Sequence, residues 1–368
     1  MKVKYYEHKN FGKLKDKLAS DEEMMQNLNY SPDLFKDKYS FVSFCNYPKK
    51  NKLFIGTTNI FGDILIEFDV KTKTFRSCNY ATSHWDILES KIHKGLWLDE
   101  QEDALYFGTA TLAPIAKVVN SKGGQLSKYK IKEEKFELIG SPSQGDFYQG
   151  TMYDQKRKMM YLLTGECNGF GAFDVKNKKL LRYNPIGSIP HIGVIDDSGA
   201  VWGSCGVSKP CFFKYIPEKN DYIFPENCFV PDGRAATGKM YDGAGPIDSA
   251  IKGNNGMLYF GTALGALLEL NPVTYEVIYL GKPFPGIRLP GLALDNDGNV
   301  LMCGGDDGAP YVAKFDVRNR TINALGQVIA EDGTACFRCH EITFMDNKAY
   351  VAETDNPERS ALLWEIEL

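Results

Sequence analysis

The sequence lacks the features that mark several large classes of protein. Its 368 residues contain 43 Lys and Arg against 47 Asp and Glu, a formal net charge of −4, so the basic excess typical of nucleic-acid-binding proteins is missing. No apolar run approaches the ~18–20 residues of a membrane-spanning helix. Residues 1–17 lack the apolar segment of a signal peptide. We therefore predict a cytoplasmic protein with no nucleic-acid partner and no membrane partner.

The cysteines and the missing motifs narrow the chemistry further. Nine cysteines are an odd number, and in a chain without an export signal they predict reduced core thiols instead of a disulfide framework. The chain has no phosphate-binding glycine loop, dinucleotide fingerprint, serine-nucleophile elbow or HExxH motif, so we expect no nucleotide cofactor. Cys336, Cys339 and His340 match the CxxCH haem pattern, but the compartment argues against haem. A zinc site at these three side chains is an alternative.

One short sequence, in contrast, is repeated along the whole chain. Leu-Tyr-Phe-Gly-Thr occurs in full at residues 105–109 and 258–262. Weaker copies begin at Leu53, Met160, Val201, Val300 and Ala349. The copies lie roughly 50 residues apart, which is a spacing found in propeller repeats. Each repeat contains four short β-patterned runs separated by turn residues. Seven such repeats predict an all-β fold, a seven-bladed β-propeller of four-stranded antiparallel blades.

The two ends of the chain predict how the ring closes. The seventh repeat ends with its third strand at residues 363–368, while Lys2 to His8 forms a spare β-patterned run before the first repeat. We expect this N-terminal strand to complete the last blade, which also removes exposed sheet edges. Asp21 to Phe35 is expected to be helical or irregular. The predicted organisation is residues 1–40 as closing strand and decoration, and 41–368 as a single propeller domain.

The first strand of each repeat carries the residues that suggest chemistry. In an alignment of these strands by eye, six of the seven have Gly, Ala or Ser at the third position, as expected where strands crowd around a narrow channel. The first position of the alignment contains His93, Tyr148, His191, Asp248 and His340. Three of the five histidines of the chain fall there. Because blades two, four and seven are spread around the ring, we expect the three imidazoles to converge on its axis.

The converging histidines allow two chemical interpretations and one structural one. His93, His191 and His340 could hold a divalent ion (Mn, Zn or Fe) with open coordination positions. Alternatively, these histidines and Tyr148 act as general acids and bases. The structural interpretation is that polar side chains line a wet channel.

Loops predicted to lie on the same face add charged and aromatic residues. Arg suits the recognition of a carboxylate, and a Trp or Tyr ring offers a flat surface to a sugar. Lys91 lies in the same loop as Trp85. Arg288 is predicted to be catalytic, because it could neutralise a substrate carboxylate. The predicted substrate-binding residues are His84, Trp85, Arg234, Tyr241, Asp248, Arg338 and Arg359.

The repeated second strands and the Asp-x-x-Thr hairpins resemble the superfamily of seven-bladed propellers with quinoprotein-like or NHL-like repeats, over residues 41–368. Within it, a chain of this size with axial histidines is similar in design to oligogalacturonate lyase, a metal-dependent propeller lyase that cleaves uronides. The architecture also resembles carotenoid-cleaving oxygenases, whose iron sits on axial histidines. Because this chain lacks the closely spaced histidine pair expected of that lyase, no residue role is transferred.

These features together predict a lyase that acts by β-elimination on a small anionic carbohydrate such as a uronide, with or without the help of a metal ion. An Arg would neutralise the carboxylate, a His would remove the adjacent proton, and Tyr148 or a second His would protonate the departing oxygen. The alternative is a non-catalytic propeller that binds a small ligand or a protein partner at the same face, since a fold does not determine a function.

Overall fold

The computed structural model describes residues 1–9, 38–83, 86–187, 191–206, 209–231, 245–308 and 310–368. Within these ranges the strands form seven four-stranded antiparallel sheets. The innermost strands of neighbouring sheets contact each other around a ring that closes between the last sheet and the first. This arrangement confirms the predicted seven-bladed β-propeller. The predicted decoration at Asp21 to Phe35 lies outside the described residues.

The strands follow the chain in blade order, from the innermost to the outermost strand of each blade. Blades one and two comprise Ser40–Tyr47, Lys52–Thr58, Leu65–Asp69 and Thr74–Ser77, then Leu96–Asp99, Ala104–Gly108, Leu126–Lys130 and Lys135–Gly140. Blades three and four comprise Tyr148–Asp154, Met159–Thr164, Gly169–Asp174 and Lys179–Pro185, then Val194–Ile195, Val201–Cys205, Cys211–Ile216 and Asp221–Ile223. Blades five and six comprise Ile247–Lys252, Leu258–Thr262, Leu267–Leu270 and Val277–Gly281, then Gly291–Leu294, Val300–Gly304, Tyr311–Asp316 and Thr321–Gln327.

Blade seven takes its strands from both ends of the chain. Three of them are Cys339–Met345, Lys348–Glu353 and Leu362–Glu367, and the outermost is Lys2–Glu7. Helix is sparse in the described residues: Tyr80–Ser83 and Ile115–Val118 are single α-helical turns, and Pro48–Lys50 is a 3₁₀ turn. None of the described helices is long and apolar enough to cross a membrane.

The repeated motif forms the second strand of each blade and fills the space between blades. Both faces of this strand are covered by neighbouring sheets, which explains why the first residues of the motif are all apolar or aromatic instead of alternating with polar ones. Its second residue is fully or almost fully buried in every blade. These residues are Phe54, Tyr106, Tyr161, Trp202, Tyr259, Leu301 and Tyr350. Large side chains of this kind each contribute roughly 1.5–3 kcal/mol when buried, so the repeat is a packing motif.

The N-terminal strand closes the ring as predicted. Its residues pair antiparallel with the last strand, from Lys2 opposite Glu367 to Glu7 opposite Leu362. Val3 is buried in the core of blades six and seven, and the Tyr5 ring lies 5.4 Å from the Trp364 ring. The blade is therefore completed by residues that are separated by almost the entire chain.

The innermost strands of blades one, three, five and seven each contain a register shift of the kind produced by a β-bulge. The bulged residues are Val42, Gln149, Asp248 and His340. The small residue that follows in blade five is thus Ser249, which pairs with Gly261. Tyr148, Asp248 and His340 share one column of the sequence alignment, but they are not equivalent in the structure. Tyr148 precedes the bulge of its strand, whereas Asp248 and His340 are themselves the bulged residues. The alignment is therefore one residue out of register in blades five and seven.

Candidate functional site

The structure brings the three predicted histidines into one buried cluster at the axis. His93 and His191 lie just before the innermost strands of blades two and four, and His340 occupies the bulge of blade seven. The ring of His93 lies 4.9 Å from that of His340 and 5.6 Å from that of His191. All three residues are at most 8% exposed. Three side chains that are far apart in sequence therefore share one small volume.

Hydrogen bonds assign the protons of His93 and His340. His93 Nδ1 lies 2.8 Å from the backbone oxygen of Gln149, which can only accept, so Nδ1 carries the proton. Burial lowers the pKa of both histidines well below the usual value, and nearby lysines act in the same direction, so both rings are neutral. His93 Nε2 then accepts from His340 Nε2, 3.0 Å away. His340 Nδ1 is left as a lone pair with no hydrogen-bond partner among the described residues.

His191 lies beside a buried ion pair. Its Nδ1 is 4.0 Å from Asp248 Oδ1, and burial lowers its pKa to about 4 even though Asp248 opposes the shift. Arg288 donates to Asp248 through Nε at 2.9 Å and through a second guanidinium nitrogen at 3.2 Å. Burial raises the pKa of Asp248, but Arg288 and His191 outweigh it and leave the pKa below its usual value. Arg288 therefore neutralises Asp248 and holds it against the cluster.

Arg288 is one of sixteen non-glycine residues with a positive φ in the described ranges. Its φ of 70° lies in the left-handed region, which a residue with a Cβ seldom adopts. Such conformations cost about 1–3 kcal/mol and are concentrated at functional sites. The two hydrogen bonds to Asp248 help to offset that cost.

Lys94 was missed by the sequence analysis and crosses the channel beside the histidines. Its ammonium donates to the backbone oxygens of Pro290 and His340 and to Glu341 Oε2 at 3.0 Å, and the residue is only 3% exposed. One lysine of blade two thus fixes the backbone of blades six and seven at the position of His340. The signal was present in the alignment, because Lys94 directly follows His93 in the innermost-strand column.

Among the described cations of the cluster, Lys91 is the one whose ammonium remains available for a ligand. Burial lowers its pKa to about 8, and Asp355 and Glu166 partly oppose the shift. At neutral pH the side chain is therefore still mostly protonated. No described residue accepts a hydrogen bond from its ammonium. The charge influences all three histidines, as the lowered pKa of each one reflects.

Glu166 was also missed and supplies an acidic group near Lys91. It lies in the loop between the second and third strands of blade three and accepts from the Phe147 backbone nitrogen at 2.9 Å. Burial and the neighbouring Asp146 carboxylate raise its pKa, which favours the protonated acid at neutral pH. No motif marks this residue, because its effect arises from a carboxylate 20 positions earlier in the chain.

Other predicted residues lie elsewhere. Tyr148 precedes the bulge, and its ring packs in the core between blades two and three. Arg359 makes two hydrogen bonds to Glu353, the completely buried last residue of the second strand of blade seven. Arg338 is held by Asp307 and Asp355 at the rim. His84, Trp85, Arg234 and Tyr241 lie outside the described residues.

The described residues leave metal binding at the cluster as a prediction. No group of three or more His, Cys, Asp or Glu side chains in the described ranges is arranged to hold a metal ion. The Nε2 atoms of His93 and His340 lie 3.0 Å apart and share a hydrogen bond. Burial raises the pKa of Cys336 and Cys339, the two thiols of the zinc alternative. Metal binding therefore remains a prediction for elemental analysis.

The nine cysteines are all free thiols in the structure. Seven are buried, whereas Cys167 is exposed and Cys211 is partly exposed.

Comparisons with known proteins agree on the fold. The sequence matches no family model, and no curated protein matches it. A catalytically inactive His-to-Ala variant of virginiamycin B lyase from Staphylococcus aureus, with Quinupristin, superposes with a TM-score of 0.65 at 13% identity over 93% of this chain and 97% of that chain. A Kuenenia stuttgartiensis hydrazine synthase chain gives 0.61 at 12% identity over 91% and 97%.

The third comparison is with an extracellular domain. The extracellular domain of a one-component system from B. thetaiotaomicron gives a TM-score of 0.58 at 13% identity, and the match covers 92% of this chain and 39% of that one. At such low identities the likeness extends to architecture and no further. This chain is a seven-bladed β-propeller protein.

Proposed function

We propose that the protein is a lyase that acts by β-elimination on a small anionic carbohydrate, such as a uronide, at the axial histidine cluster. The observation that carries the proposal is the neutral ring of His340, whose Nδ1 has no described hydrogen-bond partner. The positive charge of Lys91 acts on this ring. A base beside a cation is what removal of a proton next to a carboxylate requires. Virginiamycin B lyase is an example of a lyase with this architecture, and its likeness to this chain extends to the fold alone.

Lys91 is the proposed partner of the substrate carboxylate. The sequence favoured Arg288 for this role, but two donors of its guanidinium are engaged by Asp248. The Lys91 ammonium has three donors and no acceptor in the described structure. Binding the carboxylate there stabilises the negative charge that develops when the adjacent carbon loses its proton.

His340 is the proposed base, and His93 supports it. When Nδ1 takes the proton, the charge that appears on the ring is stabilised through Nε2–H, which donates to His93. His93 is held in the accepting tautomer by the Gln149 carbonyl. The electron pair left on carbon forms the new C4–C5 double bond, the C4–O bond breaks, and the departing oxygen must be protonated. Glu166, whose raised pKa keeps it protonated, is the proposed acid.

A binding protein without catalysis is the second candidate. The observation in its favour is the Lys91 ammonium, which can bind an anion whether or not a reaction follows, and the fold itself does not require catalysis. The same cation and buried histidines would then recognise an anionic ligand instead of transforming it. The two candidates differ in one measurable product, because only elimination leaves a conjugated double bond.

The test is to incubate the protein with a panel of short uronides, with and without added divalent metal, and to follow near-ultraviolet absorbance. We expect His340→Ala to lower kcat by roughly 10²–10⁴-fold and Lys91→Met to lower kcat/KM by roughly 10²–10³-fold. Lys49→Met, a surface lysine paired with Glu100, is the matched control. Mass-spectrometric metal analysis of the purified protein runs in parallel. If no uronide gives absorbance while an anionic ligand binds and Lys91→Met abolishes that binding, the binding candidate replaces the lyase.

A further inference from the structure

Two cysteines of blade four face each other across a hairpin. Cys205 ends the second strand of the blade, Cys211 begins the third, and the two are directly opposed in the antiparallel register. Their sulfur atoms are 3.4 Å apart. Opposed residues in an antiparallel pair have Cα atoms about 4.5–5.5 Å apart, which lies inside the span of about 4.4–6.8 Å found for disulfides. The backbone is therefore already placed for a bond between them.

We propose that Cys205 and Cys211 form a reversible disulfide when the protein meets a hydroperoxide. The inference is independent of the proposed lyase activity. It rests on the opposed register, on the short distance between the sulfur atoms, and on the unequal burial of the two thiols. A disulfide requires the sulfur atoms to approach from 3.4 Å to about 2.0 Å. Rotation about the side-chain bonds supplies this movement without a break in the strand pairing.

The unequal burial assigns the order of the two steps. Cys211 is partly exposed, so it meets the oxidant first, whereas Cys205 is buried and its pKa is raised to about 12 by burial and by Cys211. The Cys211 thiolate attacks one peroxide oxygen and the O–O bond breaks, which yields a sulfenic acid and hydroxide. The Cys205 sulfur then attacks the sulfenic sulfur, the S–O bond breaks, and water leaves. Two thiols and one hydrogen peroxide give one disulfide and two waters.

The bond would form at the rim of the axial site. The innermost strand of blade four runs antiparallel to Val201–Cys205, so the end of the hairpin with the two cysteines lies on the same face as His191. Joining the strands there braces the edge of the candidate site. A change in cellular redox state would thus act on the blade that carries one of the three histidines.

The test is peptide mapping after hydrogen peroxide treatment and alkylation of the remaining thiols. We expect a linked Cys205–Cys211 peptide that dithiothreitol removes. Cys205→Ser should instead leave a sulfenic acid at Cys211 that dimedone traps. Cys228→Ser is the matched control, because Cys228 is a buried cysteine close enough to Cys211 to share its electrostatic field, and it should leave the cross-link intact.

Two outcomes would overturn the proposal. One is oxidation confined to the exposed Cys167, with Cys205 and Cys211 both alkylated after denaturation. The other is a Cys211–Cys228 peptide in place of the predicted one. Because serine closely matches cysteine in size, each variant can be checked for native melting before oxidation, and the mapping of the unmodified chain stands without any variant.

Discussion

Val3→Ala measures how much the closing strand contributes to the ring. Val3 is 5% exposed, pairs with Ile366 and packs in the shared core of blades six and seven. The substitution removes two methyl groups, worth about 0.8 kcal/mol each, and the remaining cavity brings the loss to about 1.5–3 kcal/mol. The unfolding entropy is about 2.1 cal/mol/K per residue, or about 0.8 kcal/mol/K for 368 residues. We therefore expect Tm to fall by about 2–4 °C.

The assay is differential scanning calorimetry of the wild type, Val3→Ala and Lys4→Ala. Lys4 lies on the same strand with its side chain exposed, so its replacement should change stability by less than about 0.5 kcal/mol. Deletion of residues 1–7 should lower Tm further and promote association, because it uncovers the edge of Leu362–Glu367. Equal melting temperatures for Val3→Ala and Lys4→Ala would show that the strand does not close the ring in solution.

Two further predictions concern the closing segment and the axis. Burial lowers the pKa of the His8 imidazole from 6.5 to about 4, so as the pH falls the unfolded chain becomes protonated at this residue before the folded chain does. The contribution of His8 to stability should therefore be complete above pH ~6.5 and should fall by about 3 kcal/mol as the pH drops to ~4. His8→Phe should remove this part of the pH dependence of Tm. A Cβ at Gly150 would lie 2.3 Å from the His191 backbone oxygen, so Gly150→Ala should destabilise the fold by about 1–3 kcal/mol or more and displace His191. The control is Gly171→Ala, whose Cβ would have no contact under 3.4 Å and which should fold normally. Identical histidine NMR spectra for Gly150→Ala and the wild type would contradict this prediction.

The fold could be predicted from the sequence because its cause is local and repeated. Each copy of the Leu-Tyr-Phe-Gly-Thr motif must be buried on both faces, and only a ring of packed sheets provides that for every copy. Counting the β-patterned runs in each repeat shows that the seventh repeat lacks its fourth strand and that one extra strand precedes the first repeat. The closure by Lys2–Glu7 then follows from the need to cover a sheet edge.

The site could be predicted only in part, because a β-bulge changes which way a side chain points. An inserted residue reverses which face of the sheet the preceding side chains point to. Residues that share a column of an alignment made by spacing can therefore point to opposite faces. Tyr148 and His340 stood in the same column of the sequence, yet Tyr148 packs between blades and His340 joins the histidine cluster. His340 reached the predicted place although its register was wrong, because the bulge in blade seven compensated for the misalignment.

The partners of the charged residues depend on contacts between blades, which no local pattern records. Arg288 belongs to blade six and its acceptor Asp248 to blade five, 40 positions earlier, so an arginine that looks available in the sequence is already paired. Lys94 is held by blades six and seven in the same way. Lys91, three residues before Lys94, has no such described partner. The contacts between blades in the closed ring therefore decide which cation can bind a substrate. Lys91→Met should weaken the binding of an anionic ligand directly, because it removes the cation that contacts the ligand. Arg288→Ala should weaken binding indirectly, because it leaves the Asp248 charge without its partner beside His191.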